Sequence, residues 1–395
     1  MNKEDIIVLR PINMKKSIEL INSKIKYQNK LLHILITIII LMIIGIIMIF
    51  IYYYILSLNY KNEISSKISY LEEIINNNKT KEINNLNHSK EIINYTNSLP
   101  NTNIIEFDEK MNEKYIQEQN NFCKNETFNL NQELANVIYK NLHYNMFIYK
   151  KGDIVSDQIF QMKRWEEYDT NNILKALNYY SNKKGIKNED IYILDIGANI
   201  GWYSFTLAKY GYKIISFEPS ELNNYILNKN YCLNKDVNIT IINKGLYTED
   251  KNCDYYKSIT NVGNGFVFCD KNVELNDLKK IGIIKLTRLS NYIKFLSKKN
   301  LAFIKIDVEG SEGKAFEGGI EVITKYHVPF ILLEYTPKAL KLHDTDRLLF
   351  LQIFENNGYK IFFGNFFDKD NIPLEKIIEK KKINLYIVHS NILEE

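Results

Sequence analysis

A net charge of +4 is small for 395 residues, and it gives no electrostatic reason to expect a nucleic-acid partner. The 4 cysteines include no CxxC pair, so zinc-site spacing is absent. Cys253 and Cys269 fall in one irregular segment, where they can bridge in an oxidising compartment or stay solitary buried thiols. Proline and glycine are sparse while Asn, Ile, Lys and Tyr abound, as expected of an A- and T-rich coding sequence, so composition says little about function. The most telling absence is local: no Asp, Glu, Lys or Arg stands between Lys30 and Lys61.

Residues 31–58 are almost unbrokenly apolar. As a helix at ~1.5 Å per residue they span about 42 Å, more than the ~30 Å hydrocarbon core of a bilayer. With no small-residue cleavage site the run reads as an uncleaved transmembrane anchor, and Tyr52 to Tyr54 suit an interfacial aromatic belt. Lys15, Lys16, Lys24, Lys26 and Lys30 precede it, against Lys61 and Lys67 just after it, which keeps tail 1–30 cytosolic and sends the C-terminal part across to a lumenal or extracytoplasmic side. Sequons at Asn78, Asn87, Asn94, Asn125 and Asn238 are usable there. Residues 59–120 are polar and read as a stalk, with a short 4-3-4 register (Ile64, Ile68, Leu71, Ile75) that permits weak self-association. Residues 121–190 read as a lead-in with helices near Gln132 to Lys140 and Asn171 to Tyr180, and residues 191–395 as the core.

In that core, ILDIGANIG (Ile193 to Gly201) is an apolar strand that ends on a carboxylate and breaks into a glycine-bracketed turn before the helical pattern WYSFTLAKY. Gly197 and Gly201 let backbone pass close to a ligand, and helix-start amides can point at it. The next strand, Lys213 to Phe217, ends on Glu218, seventeen residues past Gly201, where doubly wound folds place the acid that grips ribose hydroxyls. Asn199 stands where a GxGxxG dinucleotide fingerprint has its middle glycine, and Asp195 repels a diphosphate while attracting a cation. These features favour S-adenosylmethionine over nicotinamide or flavin cofactors.

FIKIDVEGSEG (Phe303 to Gly313) repeats the design, with Asp307 and Glu309 two residues apart and so on one face of a strand. DIGANIG, FEPS (Phe217 to Ser220), IDVEGSEG with Gly318 and Gly319, LLEYTP (Leu332 to Pro337) and Gly358-Tyr359 resemble the FkbM-type methyltransferase family in order and spacing, over roughly Asp153 to Ser390. Trp165-Glu166 resembles the aromatic-acidic pair of the family's lead-in, whereas Leu289-Ser290 departs from its usual Leu-Asp and puts a local helix cap in doubt. The resemblance implies a class I methyltransferase fold, a doubly wound, mostly parallel sheet with an antiparallel edge. It also implies methyl transfer to a hydroxyl, often of a sugar or polyketide. Strands near 191–195, 213–218, 238–243, 302–307 and 329–334 fit that sheet, with Tyr359–Phe363 and Leu385–His389 as its edge.

On this reading Asp195, Gly197, Asn199 and Gly201 hold the methionine end of the cofactor and Glu218 the ribose. Gly245, within the segment Lys244 to Leu246, flanks adenine. Asp307 and Glu309 are the catalytic candidates facing methyl group and acceptor, and GNGFVF (Gly263 to Phe268) is a candidate substrate loop. Glu312 serves as a helix-start acid with Ser311 as cap. Glu334 is either a strand-end ligand or a buried acid, and with Asp307 and Glu309 it offers oxygen ligands to a divalent cation. Two rivals stand beside this expectation. One is a membrane-anchored glycosyltransferase, from Asp344-Thr345-Asp346; the other is a non-catalytic cofactor-binding module.

Overall fold

The computed structural model describes residues 107–125, 132–258, 261, 263–269 and 278–394, together with Asn22. The chain divides into two compact units, Met1–Thr102 and Asn103–Glu395, and nearly all described residues lie in the second. Apart from Asn22, the expected tail falls outside the described residues, as do the anchor at 31–58 and the short coiled register. Among the described residues no helix is long and apolar enough to cross a membrane.

A hairpin of β1 (Gln132–Tyr139) and β2 (Leu142–Tyr149) precedes the central sheet. Helix was expected at Gln132 to Lys140, and the structure corrects this. Ala135, Val137 and Tyr139 are buried at every second position, a strand period that the sequence pattern had been misread over. The central sheet comprises β3 (Ile191–Ile196), β4 (Lys213–Phe217), β5 (Asn238–Ile242), β10 (Asn300–Ile306), β11 (Phe330–Tyr335), β12 (Tyr359–Phe362) and β13 (Ile383–His389). Its order is β12-β13-β11-β10-β3-β4-β5, with β13 antiparallel to both neighbours and the other pairs parallel. All six residues of β11 are buried, as expected for a strand covered on both faces. The chain runs outward from β3 to β5 and returns to the other side of β3 as β10. The switch point of the sheet therefore lies between β3 and β10, where open parallel sheets form their ligand crevice.

The segment Thr248 to Ile281 interrupts this alternation, as expected. It builds most of a second sheet, β6-β9-β7-β8, from β6 (Gly245–Leu246), β7 (Lys251–Ser258), β8 (Gly265–Phe268) and β9 (Leu278–Thr287). GNGFVF is therefore mostly strand: Gly265–Phe268 pairs with β7. A Cys253–Cys269 disulfide closes this sheet.

Residues 107–120 belong to the folded body, a correction to the stalk boundary at 120. Phe107 is buried against Tyr292 and Phe295, and the Gln119 amide donates to Ile239 O at 3.0 Å and accepts from Ile241 N at 2.9 Å. Helix Glu109–Asn125 thus satisfies backbone groups that β5, as edge strand, would leave open. Cys123–Cys232 ties it to helix Glu221–Leu233.

Candidate active site

Two turns meet over the switch point. In the first, Gly197, Asn199 and Gly201 all have positive φ, and the N–H groups of Gly197 and Ala198 donate to Phe217 O at 2.9 and 3.0 Å, which fastens the turn to the end of β4. Gly197 has a steric reason beyond ligand access, since a Cβ there would lie 1.9 Å from the Asp307 carbonyl oxygen of the second turn. That second turn, Asp307 to Ser311, lies beyond the end of β10, with Glu309 (φ 52°) and Gly310 (φ 101°) in the left-handed region. Asp307 and Glu309 come together through this turn rather than through strand alternation.

Between the turns lies a cavity of ≈ 350 Å³ lined by Gly197, Asn199, Glu218, Asp307 and Glu309, in the size range of small-molecule sites. Glu218 sits at its edge, 4 % exposed, and accepts from Asn199 N (2.8 Å), Ser220 N (2.9 Å) and Asn223 Nδ2 (3.4 Å). Burial pushes its carboxyl up to about 7 against the pull of those donors.

Lys305 was missed by motif reading, although a lysine inside an otherwise apolar strand was a visible signal. It pairs in register with Asp195, and its Nζ donates to Gly197 O and to Asp307 Oδ2, each at 3.3 Å. Burial works against its charge, but Asp307, Asp195, Glu166 and Glu334 together raise its pKa. Strand alternation sets Glu334 on the same face, where Lys382 Nζ reaches its Oε1 at 2.7 Å. Glu166, beside Trp165 on the cavity wall, accepts from Tyr203 OH at 2.6 Å.

The carboxylate oxygens of Asp307, Glu309 and Glu334 can lie within 4.8 Å of one another. Burial and then the charge of Asp307 push Glu309 and Glu334 upward. Asp307 is held low in spite of burial by Lys305 and Lys382. These oxygens suit a hard cation in number, but the two lysines already supply the positive charge, and a cation would have to displace Lys382 from Glu334.

Four expected residues do not take the places assigned to them. Gly201 is buried behind the first turn, where a Cβ would lie 2.5 Å from Leu227 and 2.7 Å from Phe205, so it serves packing rather than the cavity wall. Asp195 is not on the cavity wall. It is 1 % exposed on the face covered by helix Trp202–Lys209, its Oδ2 takes a 2.5 Å bond from Ser204 Oγ, and its charge reaches the site through Lys305. Gly245 lines a smaller cavity of ≈ 30 Å³, whose walls share Gly197, Pro219, Val267 and Val308 with the main one. Ser311 makes no side-chain cap; Glu312 Oε1 instead accepts from Val308 N and Gly310 N at 3.0 and 3.2 Å and stitches the second turn. The departure at Leu289-Ser290 has the expected result, since Leu289 gives helix Ser290–Leu296 no side-chain cap. Asp346 caps helix Arg347–Asn356 through Leu348 N and Leu349 N, so Asp344-Thr345-Asp346 is accounted for as a helix start.

Residues 195–361 match the methyltransferase FkbM domain. The chain carries a methyltransferase domain of the FkbM family. The match begins at Asp195 and ends at Ile361, inside the broader stretch that the motifs suggested. The domain has the α/β fold of S-adenosylmethionine-dependent methyltransferases, a mostly parallel sheet with an antiparallel edge. No curated protein matches the chain significantly. Among solved structures, the bifunctional kinase-methyltransferase WbdD is similar at 11% identity and a TM-score of 0.36, covering 61% of this chain and 44% of that one. TYW2 from M. jannaschii in complex with AdoMet gives 13% and 0.29, over 66% and 86% of the two chains. Magnesium protoporphyrin IX methyltransferase from Synechocystis PCC 6803 with bound SAH gives 10% and 0.30, over 60% and 88%. The chain thus spans under half the length of WbdD.

The residues of the FkbM domain fit S-adenosylmethionine. Asn199 Oδ1 and Glu334 Oε2 are buried on the cavity wall without a hydrogen-bond donor, and both are acceptors. Hydroxyls and an ammonium can donate to these acceptors, and a sulfonium offers them positive charge.

Proposed function

We propose that the protein is an S-adenosylmethionine-dependent O-methyltransferase that acts on a hydroxyl of a carbohydrate. The observation that carries this reading is the cavity at the switch point, with a glycine turn on one side, Glu218 at the ribose position and the acid cluster opposite. Gly197 and Asn199 hold the methionine end and Glu218 the ribose. When bound, the cofactor supplies a methyl group on an already activated, positively charged sulfur. What remains for the chain is to align the acceptor oxygen, exclude water and take the hydroxyl proton, for which Asp307 and Glu309 are the placed carboxylates.

We further propose that residues 31–58 anchor the chain in a membrane and that the domain works on the far side, preceded by a stalk that ends before Phe107. The Cys123–Cys232 and Cys253–Cys269 disulfides support an oxidising compartment. Such a compartment needs imported cofactor. Calorimetric titration with S-adenosylmethionine tests the domain: no binding at millimolar supply rejects the reading. Mass spectrometry of glycans from cells with and without the protein tests the acceptor, with loss of methylated sugars as the expected result.

A further inference from the structure

We propose that the cavity is a proton-loaded anionic well, which gives up protons to the positive charge of the methyl donor and regains one from an uncharged hydroxyl acceptor. This rests on the methyltransferase reading above and deepens it. Glu166, Glu218, Asp307, Glu309 and Glu334 line the cavity together with Lys305 and Lys382, and Lys257 and Asp153 stand close behind Glu218. Asp195 stands behind Lys305 on β3, and Glu312 behind the second turn. So many carboxylates cannot all ionise in one buried space with three ammonium groups, so the site holds protons when no ligand is bound. Asp307 keeps its charge through Lys305 Nζ at 3.3 Å, while Glu334 has one oxygen on Lys382 and the other without a donor. That second oxygen, in a residue only 9 % exposed, is the place for a shared proton or an incoming cation. Burial and mutual repulsion raise Glu309 and Glu334, and burial raises Glu166 and Glu218, in keeping with that storage.

The charge accounting closes without a metal. The acceptor's O–H bond breaks and its proton passes to a carboxylate of Asp307, Glu309 or Glu334. The oxygen gains its bond to the methyl carbon, and the electron pair of the broken S–C bond stays on sulfur. The cavity loses the positive charge of the sulfonium and keeps that of the proton, so its total is unchanged. An acceptor carrying phosphate or carboxylate beside the hydroxyl meets repulsion from the same wall, which selects a neutral hydroxyl compound.

Titration calorimetry on the purified full chain decides the matter, run with chelator in two buffers of different ionisation enthalpy near pH 7. S-adenosylmethionine should release more protons than S-adenosylhomocysteine, which lacks the sulfonium charge, by about one proton. Glu334→Gln should weaken the charged ligand relative to the neutral one by about fivefold or more. Equal proton release by both ligands, parallel weakening of both, or binding of the charged ligand only with added magnesium each overturns the proposal and leaves the methyltransferase reading standing. Failure of both ligands to bind removes that reading as well. The proton count on the unaltered protein decides even where Glu334→Gln does not fold.

Discussion

Glu218 joins three parts of the site with one carboxylate, since it holds the first turn through Asn199 N, the next helix through Ser220 N and the cavity edge through its remaining lone pairs. Glu218→Ala should cut cofactor affinity tenfold or more, a loss of about 1.5 to 3 kcal/mol, which calorimetry would register. The same residue sets a pH dependence. Its carboxyl rises from an ordinary 4.5 to about 7 in the fold, as does that of Glu312, in both cases first through burial. Between those values the folded protein binds more protons than the unfolded chain, so stability is full below about 4.5 and falls as pH rises through about 7. Up to about 3 kcal/mol per group is at stake. The ligand-free protein should therefore melt at lower temperature at pH 8 than at pH 5.5, and Glu218→Gln should flatten the profile; a flat profile for the unaltered protein would contradict the burial of these acids. Gly197→Ala should cost several kcal/mol, because its φ of 80° and the Asp307 carbonyl 1.9 Å from a new Cβ leave neither turn room to yield. Soluble yield and melting temperature would show it.

Elements bear out the strand pattern and expose where sequence runs short. The five parallel strands and the antiparallel pair were legible because buried runs such as FILLEY and FIKI end on turn residues with unmistakable punctuation. The hairpin β1–β2 was not, because the apolar Leu134 and Ile138 stand beside Asn136 on the exposed face of Gln132 to Tyr139, so apolar residues fall on both faces and hide the period of two. Helix Glu109–Asn125 was read as stalk because it anchors itself through an amide and scattered rings rather than an apolar stripe. Site residues at strand ends were readable, while Lys382 was not, since its role depends on β13 lying beside β11. Gln119→Ala should cost about 1–3 kcal/mol and speed hydrogen exchange at Ile241. Cys123→Ser opens a link across a sequence separation of 109 and should lower stability by about 2 to 5 kcal/mol under oxidising conditions. Reductant should produce at least that loss in the unaltered protein and a smaller one in the variant, which keeps only Cys253–Cys269 to lose.

At the scale of the whole molecule, two disulfides and a long uncharged run near the N-terminus both agree with the proposed topology. Protease added to sealed microsomes should spare the domain until detergent is added; digestion without detergent would reverse the orientation. Helix Glu109–Asn125 carries a further consequence. The Gln119 amide occupies the position that another ribbon of backbone would otherwise take along β5. A version trimmed back past Gln119 would bare that rim and invite copies to zip together, so any soluble fragment made for crystallisation should begin upstream of Phe107.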